Sequence, residues 1–283
     1  MINVYWWSRV KENNEELENF GDLLVPYLLD RTTKQKYNWI IPNKNRTLRV
    51  LNKKWHYIII GSILRRATEH SIIWGAGIMF HDSIVPKSKF LAVRGHLTRN
   101  RLIELGHKVP EKYGDPALLI SLFHIPKTKK KYKIGIVPHF LDYDEVMAKF
   151  GHTKDICVIH LLTNNPQETI DAIDNCEKIV SSSLHGIIVA HALKIPALWL
   201  KVSDKLRDDI KFYDYYTSLN INIKEIIYFN FSSLEEIEAI FITYNNISSP
   251  KKENLDTLIK NLIETFPFKK SANFKNAIET FNN

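Results

Sequence analysis

The sequence predicts a two-lobed α/β protein with a helical tail, and three observations point there. Short apolar runs end repeatedly in glycine or serine and lead into helical segments, as in "WHYIIIGS", "SIIWGAGI" and "EKIVSSS". That is the signature of parallel strands followed by crossover helices. The series occurs twice, on either side of the basic run "KTKKKYK" at Lys127 to Lys133, and from Asn230 onward it gives way to helical periodicity alone. A chain of 283 residues accommodates two domains. The expected division is an N-terminal α/β lobe over 1–126, a C-terminal α/β lobe over 127–229, and a tail over 230–283 that packs on the lobes.

Element by element, "INVYWW" from Ile2 to Trp7 reads as the first strand and Ser8 to Asn14 as a loop. Leu17 to Leu29 reads as a helix. "WHYIIIGS", "SIIWGAGI" and "FLAVRG" supply three buried strands, the last followed by the helix "HLTRNRLIELG", and "DPALLISLF" closes the first half. The basic run is the expected interdomain linker. Beyond it come a strand at Ile134 to Val137, a helix around Asp144 to Phe150, a strand at Ile156 to Leu161 and the capped helix "NPQETIDAID". The strand "EKIVSSS" then enters the helix "LHGIIVAHAL", and "IPALWLK" is the next strand. In the tail, "SSLEEIEAIFITY" and "NLDTLIKNLIETF" read as helices with a Ser and an Asn as N-caps, and "SANFKNAIETFNN" as a fraying end.

Composition narrows the function classes. A formal charge of +8 and a pI near 9.2 favour anionic partners or a lysine-rich solvated surface. The lysines are dispersed, and the one dense run lacks the aromatic interleaving and arginine clustering of a nucleic-acid groove, so nucleic-acid binding rests on charge alone. Two cysteines without short spacing, Cys157 and Cys176, fit neither a disulfide framework nor a zinc site. No His/Asp/Glu spacing resembles a metal site. The N-terminus lacks the apolar core of a signal peptide, and no run of 18 apolar residues occurs, so a cytoplasmic location is expected.

The polar interruptions fall where ligands bind in such folds, beyond the carboxyl ends of the strands. "SSSLHG" puts Ser181, Ser182, Ser183, Leu184, His185 and Gly186 between a strand and a helix start. There free N–H groups and small hydroxyls suit a phosphate or carboxylate, and an imidazole titrates near neutrality. The same residues also read as a helix cap with a satisfied buried histidine. "WGAGI" places Gly75 and Gly77 at a strand end without the spacing of a dinucleotide fingerprint. "VRGHLT" places Arg94 at another, where a guanidinium grips anions bidentately. "VPH" places His139 at a third. "NFGD" sets Asn19, Gly21 and Asp22 at the first helix, where Asp22 also reads as a carboxylate complementing the helix dipole. Together these clusters predict a cleft between the lobes.

Taken in order, "NFGD", "WGAGI", "VRGHLT", "GDPALL", "GIVPH", "SSSLHGIIVAHAL", "IPALWL" and "KFYDYY" resemble the polysaccharide pyruvyl transferase family over roughly the first 220 residues. The resemblance implies two Rossmann-like lobes in the manner of GT-B glycosyltransferases. It also implies transfer of a pyruvyl unit from phosphoenolpyruvate to sugar hydroxyls as a ketal, without a cofactor or metal. Many members carry Arg directly before the Leu-His pair, where this chain has Ser183; Arg94, Lys201 or Lys211 then becomes the compensating cation. On this reading Arg94, the Ser181–Gly186 turn, Gly75, Gly77 and Lys201 hold the donor. His185 offsets charge on the departing phosphate, and His139 and Asp22 are the acid and base. Asn19, Gly21, Lys211 and Asp214 face the acceptor. A lipid-linked sugar acceptor would bring the enzyme to the inner membrane face. Of Tyr213, Tyr215 and Tyr216, at least two are expected in the core. The competing readings are a GT-B glycosyltransferase using a nucleotide-sugar, which requires a carboxylate for the ribose and a base pocket, and a non-enzymatic sugar-binding protein.

Overall fold

A computed structural model describes residues 1–42, 54–205 and 208–283. It is a mixed α/β structure with two parallel sheets. The chain opens with β1 (Ile2–Tyr5), α1 (Arg9–Asn13), β2 (Glu18–Asn19), α2 (Phe20–Thr32), β3 (Tyr37–Trp39), β4 (His56–Ile58), β5 (Ser71–Trp74) and β6 (Lys89–Ala92). Five of these strands form the first sheet in the order β3-β1-β4-β5-β6, all parallel. After α3 (His96–Glu104) and a 3₁₀ turn at Pro116–Leu122 come β7 (Tyr132–Val137), α4 (Tyr143–Phe150), β8 (Ile156–Val158), β9 (Leu162–Thr163), α5 (Pro166–Asp174), β10 (Cys176–Ser181), α6 (Leu184–Ala192) and β11 (Ala197–Trp199). The second sheet runs β11-β10-β7-β8, again parallel.

Near-continuous Val and Ile in β7, β10 and β5 match strands covered on both faces, as parallel sheets require. In the second sheet Val137, Ser181 and Trp199 are in register, so three strands end flush. The strand order reverses between β7 and β10 and between β1 and β4, the switch points where open α/β sheets bind ligands. The sheets are joined by β2 pairing antiparallel with β9, Glu18 opposite Thr163 and Asn19 opposite Leu162, and by Phe20 N donating to Leu161 O at 2.8 Å. One apolar cluster runs from Val4, Leu24 and Trp74 through Leu118 and Ile187 to Ile179, Trp199 and Phe212, so buried side chains connect the two sheets.

The tail begins after α7 (Ile210–Ser218) with α8 (Leu234–Thr243) and α9 (Asn245–Ser248), and ends with α10 (Lys252–Glu264) and α11 (Ala272–Asn282). Ile237 and Phe241 of α8 pack on the second sheet. The end of the chain returns to the first: Trp74 Nε1 donates to Thr265 Oγ1, Phe268 lies 4.7 Å from Tyr57, and Ser271 N donates to Thr32 O.

Several local expectations change. Ser8–Asn14 is a short helix, because Ser8 Oγ accepts from Lys11 N and caps it. The expected strand to Leu161 stops at Val158, and its continuation pairs with β2 instead. Asn254 is no cap: it lies inside α10, where its Nδ2 donates to Leu219 O at 2.6 Å. The basic run is tied down, since Lys127 N and Lys130 Nζ both donate to buried Asp174. The terminal segment does not fray. Ser271 caps α11, and fully buried Phe274 meets Phe266 edge to face, ring centres 4.8 Å apart.

Phe274→Ala is therefore expected to cost about 3–5 kcal/mol of stability in chemical denaturation. Exposed Thr280→Ala, on the same helix, should stay within about 0.5 kcal/mol. Equal, small effects would mean that α11 is not part of the core.

Candidate functional site

The carboxyl ends of the two sheets carry the chemistry. From the second sheet, β10 leaves through Ser181 to Ser183 and α6 begins at Leu184, with Ser183 as an extended N-cap. Ser181 Oγ accepts from Ser183 N at 3.0 Å and lies 2.7 Å from Val137 O. Ser182 Oγ accepts from His139 N at 2.8 Å and donates to Asp142 Oδ2 at 3.3 Å. Two of the three serines thus hold the turn, and only the Ser183 hydroxyl makes no hydrogen bond among the described residues. Gly186 lets α6 close on the sheet, since a Cβ there would press on Ser181 Oγ and Val137.

His185, in the first turn of α6, reaches across to elements of the first sheet. Its Nε2 lies 3.7 Å from Asp115 Oδ2, and the side chains are 13% and 0% exposed. Both atoms are buried without a hydrogen bond among the described residues. The other Asp115 oxygen accepts from Ala117 N at 3.0 Å and so fixes the carboxylate at the head of the 3₁₀ turn. The Nδ1 edge of the ring rests on Gly21, where any Cβ would overlap it. Glycine is required at position 21 because the imidazole occupies the space of a side chain.

The next residue, Asp22, is buried. Its Oδ2 accepts from Asn19 Nδ2 at 2.6 Å, and a Cβ on Gly61 would sit 3.7 Å from its Oδ1. Burial pushes the carboxyl up to about 6, against the Asn19 bond and the His185 charge, which lower it, while Glu18 and Glu12 add repulsion. Asp22, His185 and Asp115 thus form a carboxyl–imidazole–carboxyl array assembled from α2, α6 and the 3₁₀ turn.

A second group surrounds Arg94. Expected as an anion anchor, it is fully buried, and its own structure occupies it. Nε donates to Asp214 Oδ2 at 3.0 Å, Nη1 to Ser62 Oγ at 2.6 Å and Nη2 to Ile78 O at 2.9 Å. Gly77 leaves room for the guanidinium, and Gly75 for Pro116 and the Gly114 carbonyl, so the backbone approach at this strand end is made by the protein itself. Asp214, expected to face an acceptor, is completely buried, and both its oxygens are taken: Thr98 N and Thr98 Oγ1 donate at 2.8 and 2.6 Å. A guanidinium without solvent requires such a counter-ion.

Lys201 is likewise engaged, at 2.8 Å from both Asp204 and Asp209, which raise it. Lys211, one turn before Asp214 on α7, is buried. Burial and then Arg94 bring it down to about 8. Burial first, then the charge of Lys211, lowers the His139 imidazole to about 4. Its Nδ1 accepts from Leu141 N at 3.3 Å, so the neutral ring carries its proton on Nε2. Tyr215 and Tyr216 are core residues and Tyr213 is partly buried.

No hydrogen bond or ion pair joins Arg94 to His185 among the described residues; Ser62 and Gly61, adjacent in sequence, connect their surroundings. Asp115 and Ser62 were missed as site residues in the sequence. "GDP" reads first as a cap before proline, and a lone serine after glycine carries no signal. No cluster of three or more His, Cys, Asp or Glu side chains that could hold a metal occurs among the described residues, and no helix there is long and apolar enough to cross a membrane.

Fold and side chains together define an α/β protein in which an imidazole, carboxyl groups and a buried ammonium lie near the carboxyl ends of two parallel sheets. Sequence comparison is specific about the class. The family described as polysaccharide pyruvyl transferase matches residues 15–204, and the chain belongs to that family. An uncharacterized protein of Acanthamoeba polyphaga mimivirus is 33% identical over 212 residues, which span 72% of this chain and 71% of that protein. Every element of the carboxyl–imidazole–carboxyl array lies within the matched segment.

Asp22 gives the array a measurable signature. Between about pH 4 and 6 the folded protein keeps a proton that the unfolded chain has released, so its contribution to stability falls as pH rises. The stability of wild type minus that of Asp22→Asn should fall by roughly 3 kcal/mol across this interval. Buried His139 and His191 act in the opposite direction below about pH 6.5 and cancel in the difference. Urea melts of both proteins at pH 4 and 7 test this; a pH-independent difference would place Asp22 in water.

Proposed function

We propose that the protein transfers the pyruvyl unit of phosphoenolpyruvate to a saccharide, joining two of its hydroxyls as a ketal, in a GT-B-like arrangement of an N-terminal lobe over 1–126 and a C-terminal lobe over 127–229, with the tail over 230–283. The acceptor is a cell-surface polysaccharide or its lipid-linked precursor. The observation that carries this reading is His185, 3.7 Å from Asp115 and packed on Gly21 next to Asp22, in a chain of the pyruvyl transferase family.

The reaction needs an acid for the donor carbon, a base for the hydroxyl, and neutralisation of the leaving phosphate. His139, expected as the acid, is neutral, so a proton passed by His185 to the donor methylene creates an oxocarbenium-like centre at the neighbouring carbon. A sugar hydroxyl attacks there and gives up its proton. The carbon–oxygen bond to phosphate breaks, the electron pair leaves with the phosphate, and a second hydroxyl closes the ketal while losing its own proton. Asp22, with its carboxyl near 6, is largely ionised at neutral pH yet basic enough to accept the hydroxyl proton. His185 presents positive charge or a proton to the phosphate oxygen, steadied through Nε2 by Asp115. The Nε2–H of His139 is a fixed donor. The uncapped first turn of α6, with Ser183, receives donor oxygens. Asn19 orients Asp22 and meets the acceptor.

The long Asp115–His185 separation has a place in this scheme, because catalytic contacts in ligand-free enzymes often tighten only when substrate binds. Incubation with phosphoenolpyruvate and saccharide acceptors, read by mass spectrometry, should give products heavier by one pyruvate less one water. His185→Ala should lower turnover by about 10²–10⁴-fold while leaving the melting temperature nearly unchanged. Transfer of a glycosyl unit from a nucleotide-sugar, or full turnover in the His185 variant, would overturn the proposal.

A further inference from the structure

We infer that the Lys211 ammonium is an anion-binding group of this crevice, the one strong cation there whose counter-charge comes from a ligand. Three cations compete for that role, and their surroundings separate them. Arg94 is matched by Asp214 and fully enclosed. Lys201 is matched twice, by Asp204 and Asp209. Lys211 is 8% exposed, and among the described residues its Nζ makes no hydrogen bond or ion pair; it lies 5.1 Å from the centre of the Phe212 ring, a contact that supplies no counter-charge.

An ammonium largely withdrawn from water without a counter-ion is costly, and α7 adds to the cost by placing it within the field of another cation. The charged and titratable groups that act on it are Arg94 from the end of β6 and Asp209 at the start of its own helix. His139 lies on the side of the second sheet, with Asp142 and Lys205 behind it. Asp209 already serves Lys201, and Asp142 already accepts from Ser203 and Ser182. None of these groups neutralises Lys211. A phosphate or carboxylate oxygen would. Position 183, at the head of α6, carries a serine and supplies no charge. Lys211 therefore faces the donor and not the acceptor. The identity of that donor rests on the function proposed above; the anion site does not.

Thermal-shift titrations test the inference with two probes, sulfate, whose charge is constant from pH 7 to 9.5, and phosphoenolpyruvate. Both should stabilise the wild-type protein at pH 7, and the effect should fade as Lys211 loses its proton through about pH 8 and above. Lys211→Met should weaken both probes at least about tenfold, which corresponds to about 1.4 kcal/mol. Without an anion it should melt at or above the wild-type temperature. Lys211→Arg should keep binding and lose the fade at high pH, since arginine stays charged. Undiminished anion binding by Lys211→Met, or no response of the wild-type protein to either probe, would overturn the inference. A Lys211-dependent response to sulfate with none to phosphoenolpyruvate would support the anion site and remove phosphoenolpyruvate as the donor.

Discussion

The Arg94–Asp214 pair ties the architecture to the chemistry. Arg94 ends a strand of the first sheet, while Asp214 belongs to a helix that follows the last strand of the second. Their bond, with both Thr98 donors, fixes α7 against α3, where Gly95 leaves no space for a side chain. A completely buried guanidinium persists only while its carboxylate is in place. The relation between the two sheet ends is thereby made stiff at this point, and Lys211, one helical turn away, inherits its position.

The second fixed point is the short β2–β9 ladder. It brings α2 of the first sheet under α6 of the second, and Gly21 allows the approach to close until imidazole meets backbone. Asp115 then completes the array from a third direction. It is held by the N–H of Ala117, and the proline after it starts the 3₁₀ turn. The elements that build the array are distant in sequence and rigid in structure, which suits a site whose groups must be oriented before substrate arrives.

Much of this was legible in the sequence. The parallel strands announced themselves because covered strands are apolar throughout and end in residues that cannot continue the core. The polar clusters were found because they sit at those ends. What the sequence left ambiguous was allegiance. Arg94 at a strand end reads as a hand for a ligand, yet zero exposure makes it a partner for Asp214, and only the tertiary position of α7 reveals that. Asp115 carries no more sequence signal than any aspartate before proline. Gly21, Gly77 and Gly186 were visible as small residues near the site, but whether a ligand or the protein fills the space beside a glycine depends on contacts between segments far apart along the chain. Asn254 and the Ser8 helix were misread for a simpler reason, since caps and helix interiors use the same short polar side chains.

The electrostatic layout gives the crevice a direction. Asp22 is surrounded by carboxylates, with Glu18 and Glu12 both adding to its repulsion. Toward α7 one ammonium, Lys211, lacks a counter-ion and feels the charge of Arg94, and burial together with Lys211 keeps His139 neutral. His185 belongs to the acidic end through Asp115 and Asp22. Burial of a lysine without a counter-ion and of a carboxyl near 6 is costly in the free protein, and on the reading proposed above a ligand that brings negative charge to the first and a proton to the second relieves both.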